Sequence, residues 1–494
     1  MKIHLLILSL FVVWGLSPNV MAQELSAELK QAIQTDDTEL LASSLEKDQI
    51  NDCYGNNNLL ALCIKINAPT SFNYLLENGA DPEHSCTGKK PVFQAIQFER
   101  LDMLQTLIDH GASLRSRYKS KSPIEFANQL EKLRAMELLA QSGGYRIHDL
   151  QGPDGPYVID GNAYYVDANN VITSEEVEPG DELTVTVNNE DKDVFRVKIK
   201  KAYEPDKAIY DMPKKLLAIS DIEGNFNGLY SFLLNNGVMD KDYNWTYGKG
   251  HLVLVGDFVD RGEQVTDVLW LLYGLEAKAK AAGGQLHFIL GNHEVMNIQG
   301  DTRYVVGKYI AAAQQLSGQD QWKNAYKTLF SETSELGKWF RSKNSMERIG
   351  DYLFVHAGLS PLLEESRISI NKANKLIREN IDRDIYESPA QDTRVNLLLS
   401  NRGPLWFRGL VAKNGNYEKV TDAELSKLLK FYKAKTVVIG HTLTPKIKHT
   451  YNGKVIMIDL KHKHEKNSGE TKGLLIENGK EYVVDDLGKR KVLE

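Results

Sequence analysis

The sequence predicts an α/β protein whose strands deliver polar side chains to one rim of a sheet, preceded by an all-α repeat segment and a small β-rich module. Three observations predict it. Within residues 213–485, five short β-branched or leucine-rich runs each lead into a turn carrying Asp, Asn, Glu or His. Within residues 23–144, a helical unit recurs: Gly55 and Gly88 lie 33 residues apart, and Pro91 and Pro123 lie 32 apart. Between the two, residues 145–212 alternate apolar and polar positions with Asp, Asn and Gly turns, the period of half-buried strands.

A chain of 494 residues exceeds what one hydrophobic core usually supports, about 250 residues, so several domains are expected. The composition, 42% hydrophobic and 26% charged, is that of a folded protein. A net charge of -6 offers no polybasic field for nucleic acid or anionic lipid, so any anionic substrate has to be met by local cations. At the start, Lys2 precedes an apolar run from Leu5 to Leu16, and Val20-Met21-Ala22 places small residues after it. Residues 1–22 therefore read as a signal peptide, because a membrane span needs about 20 apolar residues. No Cys follows the run as a lipid anchor would require, so a periplasmic or secreted protein without membrane anchoring is expected. Cys53, Cys63 and Cys86 are an odd, clustered set, and three small packing residues are expected rather than a disulfide framework.

The repeat is visible when Gly55 to Leu59, Gly88 to Ala95 and Ser120 to Ala127 are aligned, and units end in apolar pairs such as Leu75-Leu76 and Leu107-Ile108 before a glycine turn. It resembles the ankyrin repeat in period and in its Pro-led helix start. That resemblance implies a stack of helix pairs with a concave face free for a protein partner. It also puts Cys53 and Cys86 at equivalent hairpin tips, too far apart in a regular stack for a bridge. The β-rich module at 145–212 carries about four strands and no recognisable chemistry; it reads as a spacer or as an accessory sheet packing on the C-terminal half.

The five runs of the C-terminal half are Leu216 to Ile219, His251 to Val255, Leu286 to Leu290, Leu353 to Val355 and Thr436 to Ile439. They lead into Ser220-Asp221-Ile222-Glu223-Gly224, Gly256-Asp257-Phe258-Val259-Asp260-Arg261-Gly262, Gly291-Asn292-His293-Glu294, His356-Ala357-Gly358 and Gly440-His441-Thr442. Buried strands ending in such groups build a site at their carboxyl ends. Residues 486–494 are expected to be a tail.

Through GDxxDRG, GNHE, HAG and GHT, this half resembles the calcineurin-like metallophosphoesterases of the phosphoprotein phosphatase branch, and the run Gly291 to Val305 resembles the Shewanella-like phosphatase group. The resemblance implies a metallophosphoesterase β-sandwich flanked by helices, holding two divalent metal ions. It assigns Asp221, Glu223 and Asp257 to one ion and Asp257, Asn292, His356 and His441 to the other. Two such cations activate a shared hydroxide for in-line attack on phosphorus, so no protein nucleophile is needed. Arg261 and Arg408, with Arg402 as competitor to Arg408, are the candidates for binding phosphoryl oxygens. His293 matches the leaving-group acid, with Asp260 orienting it.

One position departs from the family pattern: D-x-H-G has become Asp221-Ile222-Glu223-Gly224. A carboxylate in place of an imidazole hardens the first metal position and favours Mn or Mg over zinc; Mn leads, with Mg, Fe or Zn as the other candidates. Glu294 is expected to fix its loop. Lys461-His462-Lys463-His464 reads as a solvated charged turn, and Tyr304, Tyr309 and Trp339 fall in a helical insertion that forms either a lid or a cover for the sheet. The function expected is hydrolysis of phosphomonoesters on a phosphorylated protein. The alternatives are a small phosphoester substrate, such as a nucleotide or sugar phosphate, and a catalytically weak binding protein that works through its repeats.

Overall fold

The computed structural model describes residues 25–494 except 115, 120, 141, 143–148, 320 and 412–417; the signal-peptide reading of residues 1–22 lies outside them. The chain divides into two compact units at residues 147/148.

The first unit is a series of helix pairs: Ala27–Thr35 with Thr38–Ser44, Leu59–Ile66 with Pro69–Glu77, Pro91–Gln97 with Leu101–Asp109, and Pro123–Gln129 with Leu133–Leu139. First helices pack on first helices and second on second, so each pair buries an apolar face it could not bury alone. Pro69, Pro91 and Pro123 open their helices at the first turn, where a missing N–H costs nothing. Asn67, Glu99 and Glu131, spaced by 32 residues, take the same left-handed turn between the helices of a pair. The unit is not purely helical, since Cys53–Tyr54 pairs with Asn57–Asn58 in a short hairpin.

Cys53 and Cys86 form a disulfide, with Cα atoms 5.7 Å apart, contrary to the expectation that they were too distant. The two positions are not equivalent. Cys53 lies in the hairpin, whereas Cys86 lies in an irregular loop drawn back onto it: Asn58 Nδ2 donates to His84 O at 2.8 Å, and Asp81 N donates to Asn51 Oδ1 at 2.8 Å. Cys63 remains a buried free thiol.

The second unit contains two six-stranded sheets. One runs in the order Gln285–Ile289, His251–Val255, Lys215–Ile219, Lys472–Glu477, Lys480–Asp485, Arg490–Val492; the other runs Lys448–Thr450, Val455–Met457, Thr436–Ile439, Tyr352–Val355, Met346–Ile349, Ile209–Tyr210. Alternate residues of the central strands, among them Leu216, Ala218, Val253, Val255, Phe354 and Val438, fill the space between the sheets, while Leu217, Ile219, Leu252 and Leu254 face a second core with the helices. Residues 490–492 are thus an edge strand, not part of a tail: Val492 pairs with Tyr482 and Arg490 with Val484.

The β-rich segment shares a core with the two main sheets. It contributes a three-stranded sheet (Asp154–Ile159, Asn162–Val166, Ile172–Glu176), a hairpin (Glu182–Thr186, Val194–Lys198) and the strand Ile209–Tyr210 of the second main sheet. It packs along the helix Val265–Ala281, where Trp270 Nε1 donates to Pro156 O at 2.8 Å. Gly274 admits this approach, since a Cβ there would lie 2.9 Å from Val197 Cγ1.

A buried ion cluster ties the segment down. Lys343 Nζ meets Asp206 Oδ2 at 2.8 Å and also Glu276, which in turn pairs with Lys200 and accepts from Trp339 Nε1 at 2.8 Å. Burial raises the Glu276 pKa, but Lys343 and Lys200 outweigh it and bring the value down to about 2. Glu276→Gln should cost about 3 kcal/mol at pH 7, because it leaves buried ammonium charge under-compensated. The folded pKa lies below the ordinary 4.5, so the contribution is whole above pH 4.5 and is lost as pH falls toward about 2. Urea unfolding of both proteins across that range should show their stabilities converging; a gap that does not narrow in acid would refute the assignment.

Candidate active site

The strands Lys215–Ile219, His251–Val255, Gln285–Ile289, Tyr352–Val355 and Thr436–Ile439 end at one rim, and the turns after them bring the sequence blocks together. Asp221, Glu223, Asp257, Asp260, Arg261 and His441 all adopt positive φ, between 50° and 70°, a conformation that non-glycine residues take only when the surroundings impose it. The glycines opening two of the blocks are required by close approach. A Cβ on Gly256 would lie 2.4 Å from His356 Nδ1, and one on Gly291 would lie 2.2 Å from Asp257 Oδ1.

Four ligand-type groups converge. His356 Nε2 lies 3.0 Å from Asp257 Oδ2, 3.1 Å from Asn292 Oδ1 and 3.1 Å from His441 Nδ1. On the other side of the His356 ring, Nδ1 donates to Val255 O at 2.7 Å, which turns Nε2 toward Asp257, Asn292 and His441. Burial lowers the His356 pKa, but Asp257 and Asp221 outweigh it and raise it to about 10. His441 Nε2 is buried without a partner, and burial with neighbouring His356 and Arg408 keeps that ring neutral. Asp221 Oδ2 accepts from His441 N at 3.1 Å. Burial, Asp459 and Asp257 push the Asp221 pKa well above the carboxylate range. A neutral imidazole with an orphaned nitrogen and crowded buried carboxylates is a donor set that a divalent cation satisfies. Asp257, His356 and His441 offer ligand atoms within 4.8 Å of one another.

Glu223 lines the same cavity, and its carboxylate pairs with Arg261. The Arg261 guanidinium lies over the Tyr304 ring at 5.0 Å. Arg408 Nη1 donates to His441 O at 2.8 Å and to Thr442 Oγ1 at 2.9 Å. His293 Nδ1 lies 2.6 Å from Asp260 Oδ2; burial lowers the His293 pKa, but Asp257 and Asp260 raise it above its ordinary value. Glu294 binds the N–H groups of Asp257, Phe258 and Gly291 at 2.7 to 3.0 Å, which fixes one block against the next.

Arg402 is not part of this assembly. It is exposed on the turn after the helix Thr393–Leu399 and lies outside the cavity, because the chain must climb from that turn through Gly403 to reach Arg408. One further expectation is corrected. His462 is not solvated: it is 8% exposed, lines the cavity, and its Nε2 lies 3.0 Å from Ser220 O, while Lys461, Lys463 and His464 are exposed as expected. Of the aromatic residues in the insertion, Tyr309 and Trp339 are core, and only Tyr304 reaches the cavity, 4.9 Å from the His293 ring.

Three participants were missed. Asp459, 5% exposed, follows the strand Val455–Met457 at the same rim. It repeats the run-then-carboxylate pattern, a signal that could have found it. Burial and the charge of Asp257 raise its pKa to about 7, against the pull of His356 and Arg408. Asn297 lies one helical turn after His293; its Nδ2 donates to Asp260 Oδ1 at 2.9 Å, and its Oδ1 accepts from Tyr326 OH at 2.6 Å. His293, Asp260, Asn297 and Tyr326 thus form one buried chain.

A cavity of about 660 Å³, lined by clustered carboxylates, histidines and two arginines, lies on the rim of a β-sandwich, a donor set suited to divalent cations beside cations suited to an anionic ligand. Residues 214–445 match the family described as calcineurin-like phosphoesterase. The crystal structure of a cold-active protein-tyrosine phosphatase from a psychrophilic Shewanella species is 32% identical, with a TM-score of 0.59; the match covers 69% of this chain and 99% of that one. Shewanella-like protein phosphatase 1 of Plasmodium berghei is 29% identical over 231 residues, which cover 47% of this chain and 62% of the relative. Shewanella-like protein phosphatase 2 of Arabidopsis thaliana is 29% identical over 205 residues, covering 34% and 52%. The chain thus spans less than two thirds of the length of these two relatives. The chain belongs to the calcineurin-like phosphoesterase family, whose fold binds divalent metal ions.

Proposed function

We propose that the chain is a metal-dependent phosphatase that hydrolyses phosphomonoesters on phosphorylated proteins. The observation that carries this reading is the convergence of the Asp257, Asn292, His356 and His441 group with the His293–Asp260 pair at a cavity that Arg261 and Arg408 also line. Asp257, Asn292, His356 and His441 would hold one ion, and Asp221, Glu223 and Asp257 would hold the other. When bound, the ions supply an activated water and neutralise phosphoryl charge. The chain's own groups do the rest. Arg408, anchored by His441 O and Thr442 Oγ1, and Arg261, braced on Tyr304, bind phosphoryl oxygens. Asp257 and Asp260 raise the proton affinity of His293, which delivers the proton on Nε2 to the leaving oxygen. Protein reconstituted with defined metals should hydrolyse an aryl phosphate and phosphopeptides faster than nucleotides; turnover confined to nucleotides or sugar phosphates would overturn the protein-substrate reading.

Carboxylate ligation at residue 223 favours Mn as the activating ion. Glu223→His should move the metal preference toward zinc or iron and also free Arg261 from its carboxylate partner. Metal content and activity titrations on both proteins decide; identical preferences would mean that Glu223 serves Arg261 alone. The helix pairs of the first unit, read as ankyrin-like, would recruit a protein partner. The Cys53–Cys86 disulfide supports an oxidising compartment, periplasmic or secreted.

A further inference from the structure

Beside the catalytic cavity, the margin of the inter-sheet core opens into a groove of about 700 Å³. Its floor is apolar: Ile447, Leu460 and Leu493 belong to the core between the sheets, and Leu443 and Val492 stand 62% and 59% exposed over it. Its rim is basic. Among the described residues, Lys446, Lys461, Lys489 and Lys491 line it, are exposed and make no ion pair, whereas Lys472 and Arg490 are matched by Glu470 and Glu477. These four cations outnumber Asp485 and Glu494, the acidic side chains of the lining without an ion pair among the described residues, so the groove is locally positive on a chain of net charge -6.

The groove and the cavity are continuous, since Leu443, Leu460 and Lys461 line both. Whatever places a phosphoryl group in the cavity can therefore extend into the groove. The groove also includes the edge strand Arg490–Val492, whose outer backbone groups can pair with an extended chain. Among the described residues no aromatic side chain lines the groove, so it lacks the stacking surfaces that single-stranded nucleic acid uses. We propose that this groove binds the residues flanking the phosphorylated side chain of a protein substrate, taken as an extended segment that alternates acidic and apolar residues. The proposal rests on the phosphatase reading and names the class of substrate that reading leaves open.

The test uses the full chain reconstituted with Mn²⁺ and three substrates: para-nitrophenyl phosphate and two phosphopeptides of equal length, one with acidic and apolar flanks and one with neutral polar flanks. The acidic peptide should have a kcat/KM about tenfold higher than the neutral one, expressed in KM and weakened by salt. The triple variant Lys446→Glu, Lys489→Glu, Lys491→Glu should lose that preference while its aryl phosphate kinetics stay unchanged, which also reports that it folds. Leu443→Asp, made separately, should raise KM for both peptides. Equal use of the two peptides by the wild type, or a preference that survives the triple substitution, overturns the proposal. Binding is read independently of turnover, by fluorescence anisotropy of the labelled, unphosphorylated acidic peptide. If no phosphoester is hydrolysed, the phosphatase reading fails, and the groove stands or falls on whether that binding is lost in the triple variant. Binding of heparin or anionic vesicles in place of the peptide also overturns it.

Discussion

Asp257→Asn is expected to lose divalent metal and phosphatase turnover together. Asp257 is 2% exposed. Its Oδ2 faces His356 Nε2 at 3.0 Å and His293 Nε2 at 3.8 Å, while Oδ1 accepts from His293 N at 3.0 Å. Burial alone would raise its pKa, but His356 and His293 outweigh it and hold the carboxyl well below the usual range. An amide fits the same space but removes the charge that both ions are assigned to share, and it turns a donor toward a ring that needs an acceptor. Turnover should fall by more than about 100-fold, the upper size seen for loss of a merely supporting residue. Metal analysis after gel filtration, with circular dichroism to confirm the fold, reads the outcome. A variant that keeps full metal content would show that Asp257 is not the shared ligand.

The parts of this site that were legible in the sequence are those in which a strand end and a chemical type occur within a few residues of each other. Asp221, Asp257, Asn292, His356 and His441 each come within a few positions of a short apolar run, and the two sheets bring the carboxyl ends of those strands to one rim of the sandwich. The features that escaped were set by packing across distance. Tyr326 meets Asn297 because the helix Trp322–Leu329 lies on the helix Asn292–Gln299, and nothing local in either helix announces it. Asp459 and His462 were hidden by the lysines around them, since alternation in a turn buries one side chain and exposes the next. The Cys53–Cys86 bridge escaped because an irregular loop does not keep the register of the repeat that contains it. Arg490, Lys491 and Val492, in a polar and mostly basic stretch, become a strand only because Tyr482 to Val484 offer an open edge.

His293→Asn is expected to keep the metals and slow the chemistry by about 10²- to 10⁴-fold, the usual cost of losing a general acid. The ring is 3% exposed, and its Nδ1 is committed to Asp260, so only Nε2 is free to hand a proton to a leaving oxygen. The loss should be largest for alkyl phosphates, which need protonation, and smallest for aryl phosphates with acidic leaving groups. Asp260 is itself held by Asn297, and Asn297 by Tyr326, so these two act by positioning. Tyr326→Phe removes one hydrogen bond from a buried amide and should lower kcat several-fold with KM unchanged, keeping the same leaving-group pattern in milder form, as Asn297→Ala should more strongly. A purely structural role would instead lower stability and leave the leaving-group dependence as it is in the wild type. Kinetics on a graded series of phosphomonoesters, with metal content measured on each protein, separates the two. If His293→Asn strips the metals, or slows every ester equally, the proton-delivery role is wrong and the ring belongs with the ligands.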